Sequence, residues 1–255
     1  MTSTKRALRP HGMTPEQIQQ VQAKYGKGPF LAADLIVVTV RWDGNEPTPW
    51  VLLIERRNPP HAGSHACPGG FVDAGEDLEA AARRELAEET GLLDLGNAVV
   101  EQVGAYGRPD RDPRGRVVGI AYLALVPWHE GKVPQGGDDA VAAAVFPWRD
   151  GVPRDARDEP LALAFDHDVV IGDAWACLQR HARTDSVLLR LLPPEFTLAQ
   201  AGRLWACFEG DGFDAGRFEA GLAASGWVER HAGMWRVSGG AVAKAAAWWG
   251  STVLG

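Results

Sequence analysis

The chain is poor in cysteine, with only Cys67, Cys177 and Cys207. They are odd in number, far apart and outside any metal-ligand spacing. Neither a disulfide framework nor a zinc motif follows from them. No apolar run is long enough to span a membrane, and the first residues lack the hydrophobic segment of a secretory signal. A reducing cytoplasm and no membrane partner are the expectation. A basic excess is missing as well: the net charge is −7 over 255 residues. That disfavours non-specific binding of nucleic acid by the chain as a whole, while leaving room for a local basic site.

What is present is a globular composition, 45% hydrophobic and 23% charged, long enough for one large domain or two smaller ones. Thirty glycines and seventeen prolines argue for many turns. The ten tryptophans read as core or interface fillers.

One stretch organises the rest, Gly70 to Leu92, GFVDAGEDLEAAARRELAEETGL. Asp77 to Thr90 is rich in Ala, Leu, Glu and Arg, which favour helix, and Gly91 is a stop signal. Leu78, Ala81, Ala82 and Leu86 form an apolar stripe at helical spacing. Glu85, Glu88 and Glu89 fall at i, i+3 and i+4, on about a quarter of the helix circumference. Three carboxylates so placed repel one another. The cluster is either a solvated acidic face or a site for a hard divalent cation, whose ligands are oxygens. Gly69 and Gly70, behind Pro68, suit a close backbone approach to a ligand.

Residues 1–28 read as an N-terminal extension, with a short helix from Pro15 to Lys24 behind a capping box at Thr14 and Gln17. Leu31 to Trp42 is a buried strand. Pro49 to Arg57 is a second, paired with the first as a hairpin. Arg56 and Arg57 end it, facing either phosphate or water. Ala98 to Tyr106 and Val117 to Pro127 are further strands. Between them RPDRDPRGR, with Arg111, Arg114 and Arg116, is either a salt-bridged connector or a clamp for an anion. Asp138 and Asp139 lie on a glycine-bearing loop before a strand from Ala140 to Trp148. They form a turn, or else add a metal ligand or position a water. Asp166 to Arg183 is an amphipathic helix, and His167 reads as a contact at its start.

Beyond Thr184, Ser186 to Leu192 is strand-like. Thr197 to Phe208 and Asp214 to Ala224 are two helices with N-caps at Thr197 and Asp214. Trp227 to Arg230 and Met234 to Val237 form a two-stranded wing. Helix, helix and hairpin make the outline of a small winged-helix unit over 184–255.

The positions from Gly70 through Glu76, Arg84, Glu85, Leu86, Glu88, Glu89 and Gly91 to Leu92 match the Nudix box without a departure. The chain resembles the Nudix hydrolase family. The resemblance implies an α/β (α+β) fold over 29–183, an α/β/α sandwich around a mixed sheet. It implies hydrolysis of a nucleoside diphosphate linked to another group, with Mg²⁺ (or Mn²⁺) held by Glu85, Glu88 and Glu89. Arg84 would orient a box glutamate and Glu76 would support the site. Gly69 and Gly70 would approach metal or substrate. Arg57, Arg111, Arg114 and Arg116 are the candidate phosphate contacts. A box carboxylate or Asp139 would accept the proton.

The tail, through PEFTLAQ and FDAGRFEAGLAASG, is similar to the C-terminal half of Nudix-related transcriptional regulators of NAD metabolism. That likeness favours ADP-ribose or a related NAD-derived dinucleotide as substrate. It also brings an alternative, an ADP-ribose-sensing regulator that binds DNA. A third reading is a house-cleaning nucleoside triphosphate pyrophosphohydrolase. Against DNA, residues 185–255 hold six basic residues and seven acidic ones, whereas a DNA reader shows a basic patch. Trp248 and Trp249 suggest a covered end, and so a homodimer.

Overall fold

The computed structural model describes residues 29–92, 95, 98–127, 140–210 and 213–238. The expected helix from Pro15 to Lys24, the loop with Asp138 and Asp139, and the pair Trp248 and Trp249 lie outside the described residues.

The central strand is β1 (Phe30–Asp43), in which Ala33 to Val40 are all buried. An uninterrupted apolar run is what a strand covered on both faces requires. β1 turns through Gly44, whose φ is +57°, and pairs antiparallel with β2 (Glu46–Arg56). Two short strands follow, β3 (His65–Ala66) and β4 (Gly69–Phe71). β2 and β1 diverge there: β3 pairs with β2, and β4 takes the place beside Ala32 to Asp34 of β1.

The helix α1 (Leu78–Thr90) is the crossover from β4 to β5 (Val99–Tyr106). β6 (Val117–Leu125) then lies parallel to β1 and antiparallel to β5. β7 (Ala140–Arg149) pairs with β2, and β8 (Val152–Pro153) closes that edge. The order is β5-β6-β1-β2-β7-β8, a mixed sheet.

Alternation along the strands separates two cores. Ala33, Leu35, Val37, Leu52 and Ile54 face α1 through Ala81, Ala82 and Leu86. Ile36, Val38, Val40, Val51 and Leu53 face the other way, against α2 (His167–Thr184) and α3 (Leu198–Glu209). The expected layering of helices on both faces of a mixed sheet is present.

Ser186 to Leu192 is a correction. Val187–Leu191 form a 3-10 helix, not a strand, with Val187, Leu188, Leu189 and Leu191 buried. A short apolar run reads the same in a strand and in a helical turn packed on all sides. The helices α3 and α4 (Ala215–Ala224) start where expected. Thr197 and Gln200 close a reciprocal capping box, and Asp214 accepts from the Arg217 N–H. β9 (Val228–His231) and β10 (Met234–Val237) form the hairpin, tied to the start of α3 by two backbone hydrogen bonds between Phe196 and Trp235. Phe196, Leu204, Trp205 and Phe208 share one buried cluster with Val51, Leu53 and Trp148 of the sheet.

Candidate active site

The place where β3 and β4 part β1 from β2 opens a cavity of about 290 Å³, lined by Asp34, Arg56, Cys67, Gly69, Gly70, Phe71, Arg84, Glu85, Glu89, Arg111, Arg114, Phe165 and His167 among others. α1 supplies one wall. Asp77 caps its first turn by accepting from the Glu79 and Ala80 N–H groups, and Gly91 ends it in the left-handed region at φ +70°.

Arg84 organises this wall. Its guanidinium donates to both oxygens of Glu76 at 2.8 and 3.0 Å, to Glu85 Oε1 at 2.8 Å, to Glu88 Oε2 at 3.1 Å and to the Phe71 carbonyl at 3.1 Å. The hydrogen bonds from Arg84 hold the Glu76 carboxyl down at about 2. Arg84 thus ties the loop before α1, the end of β4 and two box glutamates into one unit.

The three box glutamates are not equivalent. Glu89 is buried and accepts from the Gly69 N–H at 2.9 Å. Burial pushes its pKa up to about 8 despite that hydrogen bond. Glu85 is raised as well, by burial, with Arg84 opposing. Glu88 is half-exposed, held by Arg84, and does not line the cavity.

The Gly-Gly pair is explained by space. A Cβ on Gly69 would stand 2.3 Å from Asp34 Oδ1 and 2.6 Å from the Ala33 carbonyl oxygen; one on Gly70 would stand 2.5 Å from the Glu85 carboxylate.

The opposite wall comes from β1, the loop before β6 and the start of α2. Asp34 is buried on β1, and that burial raises its carboxyl. His167 Nε2 is 3.9 Å from Asp34 Oδ1. Its Nδ1 accepts from the Cys67 N–H at 3.0 Å. Burial lowers His167 below the usual imidazole range, so the ring is neutral at pH 7 and its one proton sits on Nε2, toward Asp34.

The arginines of RPDRDPRGR divide. Arg111 is buried and makes a two-pronged pair with Asp166, at 2.7 to 3.1 Å. Gly119 makes room for it, since a Cβ there would meet the guanidinium at 2.8 Å. Burial works against its charge, but the Asp166 carboxylate outweighs that and keeps the group charged. Arg114 pairs with Asp112 and sits over the rings of Phe71 and Phe165, 4.8 and 5.5 Å from their centroids. Arg116 donates to the Val117 carbonyl and does not line the cavity.

Of the two arginines ending β2, Arg56 lines the cavity, over the Phe165 ring at 4.8 Å. Arg57 instead donates to the Ala140 carbonyl at 3.0 Å. Asp139 lies outside the described residues. Sequence reasoning named neither Asp34 nor Phe165 and placed His167 only at a helix start. A lone acid inside an apolar strand was the one signal for Asp34.

A mixed sheet carrying a crossover helix that turns Glu85 and the buried Glu89 into one cavity defines an α+β domain with an acidic, oxygen-donor site. The model of the NUDIX domain matches residues 33–165, more than half of the chain, and the chain belongs to that family. It is 44% identical over 123 residues to an "ADP-ribose pyrophosphatase" of Methanocaldococcus jannaschii, a match spanning 48% of this chain and 64% of that protein. It is 28% identical over 222 residues to the "ADPR responsive transcriptional repressor NtrR" of Acinetobacter baylyi, spanning 83% of this chain and 79% of that one. In fold it is similar to a MutT/nudix family protein from Enterococcus faecalis, with TM-score 0.69 and 24% identity, covering 89% of this chain and 95% of that one.

Proposed function

We propose that this chain is a Nudix pyrophosphohydrolase. It splits the diphosphate of ADP-ribose or a related NAD-derived dinucleotide into AMP and a phosphorylated product. The observation that carries the reading is the buried carboxylate of Glu89. It is fixed by the Gly69 N–H and faces the same cavity as Glu85 and Asp34, with Arg56 and Arg114 among its lining residues. Carboxylates withdrawn from water without a cation are costly. An oxygen-only donor set suits Mg²⁺, or Mn²⁺. The 44% identical stretch of a protein named for ADP-ribose hydrolysis supports the substrate class.

Glu85 and Glu89 would hold the ion from inside the cavity, with Glu88 available from its rim. When bound, the ion supplies positive charge against the diphosphate oxygens and acidifies water. Arg56 and Arg114 donate to phosphate oxygens, Arg114 from the side of its guanidinium turned away from Asp112. The rings of Phe71 and Phe165 back these cations and offer apolar faces to the nucleoside. A carboxylate of the cavity, in the box or at Asp34, takes the proton of the attacking water. Water adds to one phosphorus as the bridging oxygen leaves with the other phosphoryl group. Arg84 keeps Glu85 in place throughout, and Arg111 with Asp166 fixes the opposite wall. The three free cysteines suit a reducing cytoplasm.

The test is release of AMP from ADP-ribose by purified protein with Mg²⁺, against a panel that includes nucleoside triphosphates. Glu89→Gln should lower the rate by orders of magnitude. No metal-dependent turnover on any member, or an unchanged rate in the variant, sinks the reading.

A second reading is a DNA-binding regulator that senses ADP-ribose. It is favoured by the length of the match to the repressor and by the pair α3 and α4 with its hairpin. It requires salt-sensitive binding to an operator, weakened by ADP-ribose. A gel shift against the chain's own upstream DNA separates the two.

A further inference from the structure

Away from the cavity, α2 turns Cys177 and His181, one helical turn apart, toward Glu101 on β5. The three residues, Cys177, His181 and Glu101, are 2%, 1% and 7% exposed. One donor atom from each lies within 4.8 Å of the other two. His181 Nε2 is 2.5 Å from Glu101 Oε2, and Cys177 Sγ is 3.6 Å from Glu101 Oε1. Sulfur, nitrogen and oxygen therefore converge on one dry point.

The surroundings of His181 match those of a ligating imidazole. Its Nδ1 is 2.8 Å from Asp185 Oδ2, and the other Asp185 oxygen accepts from the Val187 N–H at 2.9 Å. In the metal-free protein both ring nitrogens donate, Nδ1–H to Asp185 and Nε2–H to Glu101. A cation at Glu101 and Cys177 displaces the Nε2 proton, while the anchored Asp185 carboxylate keeps accepting from Nδ1–H and so orients the ring.

We propose that Glu101, Cys177 and His181 bind Zn²⁺, in a site distinct from the catalytic cavity, with water as the fourth ligand. Cys, His and Glu are the donors zinc takes, at about 2.0–2.3 Å in a tetrahedron. Donors at those distances stand about 3.4–3.6 Å apart, so the Cys177–Glu101 separation already fits. The His181–Glu101 pair opens by about 1 Å. A thiolate in the set selects against Mg²⁺ and Ca²⁺. Arg180 holds the position in the metal-free protein, its Nη2 lying 3.1 Å from Glu101 Oε1 and 2.9 Å from Cys177 Sγ. Its side chain is 57% exposed, so it swings into water when the ion enters. The ion then clamps the C-terminal half of α2 to β5.

Co²⁺ is the probe, because a cysteine ligand gives it a thiolate-to-cobalt charge-transfer band that carboxylates in the catalytic cavity cannot produce. Wild-type protein should show the band at about one Co²⁺ per chain, and Zn²⁺ should bleach it. Cys177→Ser should abolish it, while Cys67→Ser and Glu89→Gln keep it. Glu101→Gln should weaken Co²⁺ affinity about tenfold or more. A folded wild-type protein without the band leaves only a hydrogen-bonded network, and overturns the proposal. So does a band that survives Cys177→Ser. Should Cys177→Ser fail to fold, the wild-type spectrum and the Glu101→Gln titration decide.

Discussion

Gly69→Ala and Gly70→Ala are neighbouring changes with the same chemistry, and the structure assigns them opposite consequences. At Gly69 the new methyl would meet the Ala33 carbonyl at 2.6 Å and the Asp34 Cα at 2.8 Å, besides the Asp34 carboxylate at 2.3 Å. Backbone of the central strand cannot swing aside, so β4 must peel from β1. Overpacking of this kind costs about 1–3 kcal/mol. Losing the Gly69 N–H bond to Glu89 adds about 1 kcal/mol. The sum is about 2–4 kcal/mol, which for a chain of this size lowers the melting temperature by roughly 10 °C. At Gly70 the three atoms nearest the methyl all belong to the Glu85 carboxylate, the far end of a flexible side chain. Gly70→Ala should therefore fold with a melting temperature within about 3 °C of wild type, yet lose most Mg²⁺-dependent turnover, because Glu85 is pushed off its Arg84-fixed position. Thermal unfolding by circular dichroism and AMP release from ADP-ribose, run on both variants, decide the matter. A Gly69→Ala protein as stable as wild type would refute the reasoning, as would a Gly70→Ala protein with full activity.

Arg56→Ala and Arg114→Ala should each raise KM for ADP-ribose roughly tenfold to a hundredfold, the worth of a charge-assisted hydrogen bond at about 1.5–3 kcal/mol. Arg57→Ala should leave KM unchanged, and steady-state kinetics showing the reverse would move the phosphate contact to Arg57. Phe208→Ala should cost about 3–5 kcal/mol and keep a single urea transition, since Phe208 shares its core with the sheet; two resolved transitions would count against a shared core. Asp166 sits below the ordinary carboxylate value: burial opposes its charge, but Arg111 more than offsets that. Its folded pKa is depressed, so its stabilisation is complete above about pH 4, the unfolded value. The gap in urea midpoint between wild type and Asp166→Asn should be equal at pH 7 and pH 5 and shrink as pH falls through the lower folded value. A gap that grows on acidification contradicts this.

The legible parts of the chain were those whose signals are local. Asp77, Gly91 and the Ala81, Ala82, Leu86 stripe mark α1 almost to the residue, and eight buried residues in a row mark β1 as central. The box glutamates follow from spacing within one helix. What stayed hidden depends on pairing across the chain. Asp34 becomes a cavity residue only because β4 lies beside β1. RPDRDPRGR cannot say which arginine is buried; Asp166, 55 residues after Arg111, decides that. The same holds for Glu101, which meets Cys177 and His181 from 76 and 80 residues away. Val187–Leu191 is ambiguous for a different reason: a run of five apolar and basic residues carries no period long enough to choose helix or strand.

The parallel ladder between β1 and β6, from Phe30 opposite Val117 to Val38 opposite Leu125, sets the timetable of assembly. The β1–β2 hairpin zips locally around Gly44. The ladder must instead close a ring containing β2 to β5 and α1, a slower event because the loop entropy is lost before the pairing rewards it. The cavity draws its walls from β1, β4, the loop before β6 and the head of α2. On a ribosome, a nascent chain that has not yet released His167 has every box glutamate already made and still no chamber to put them in.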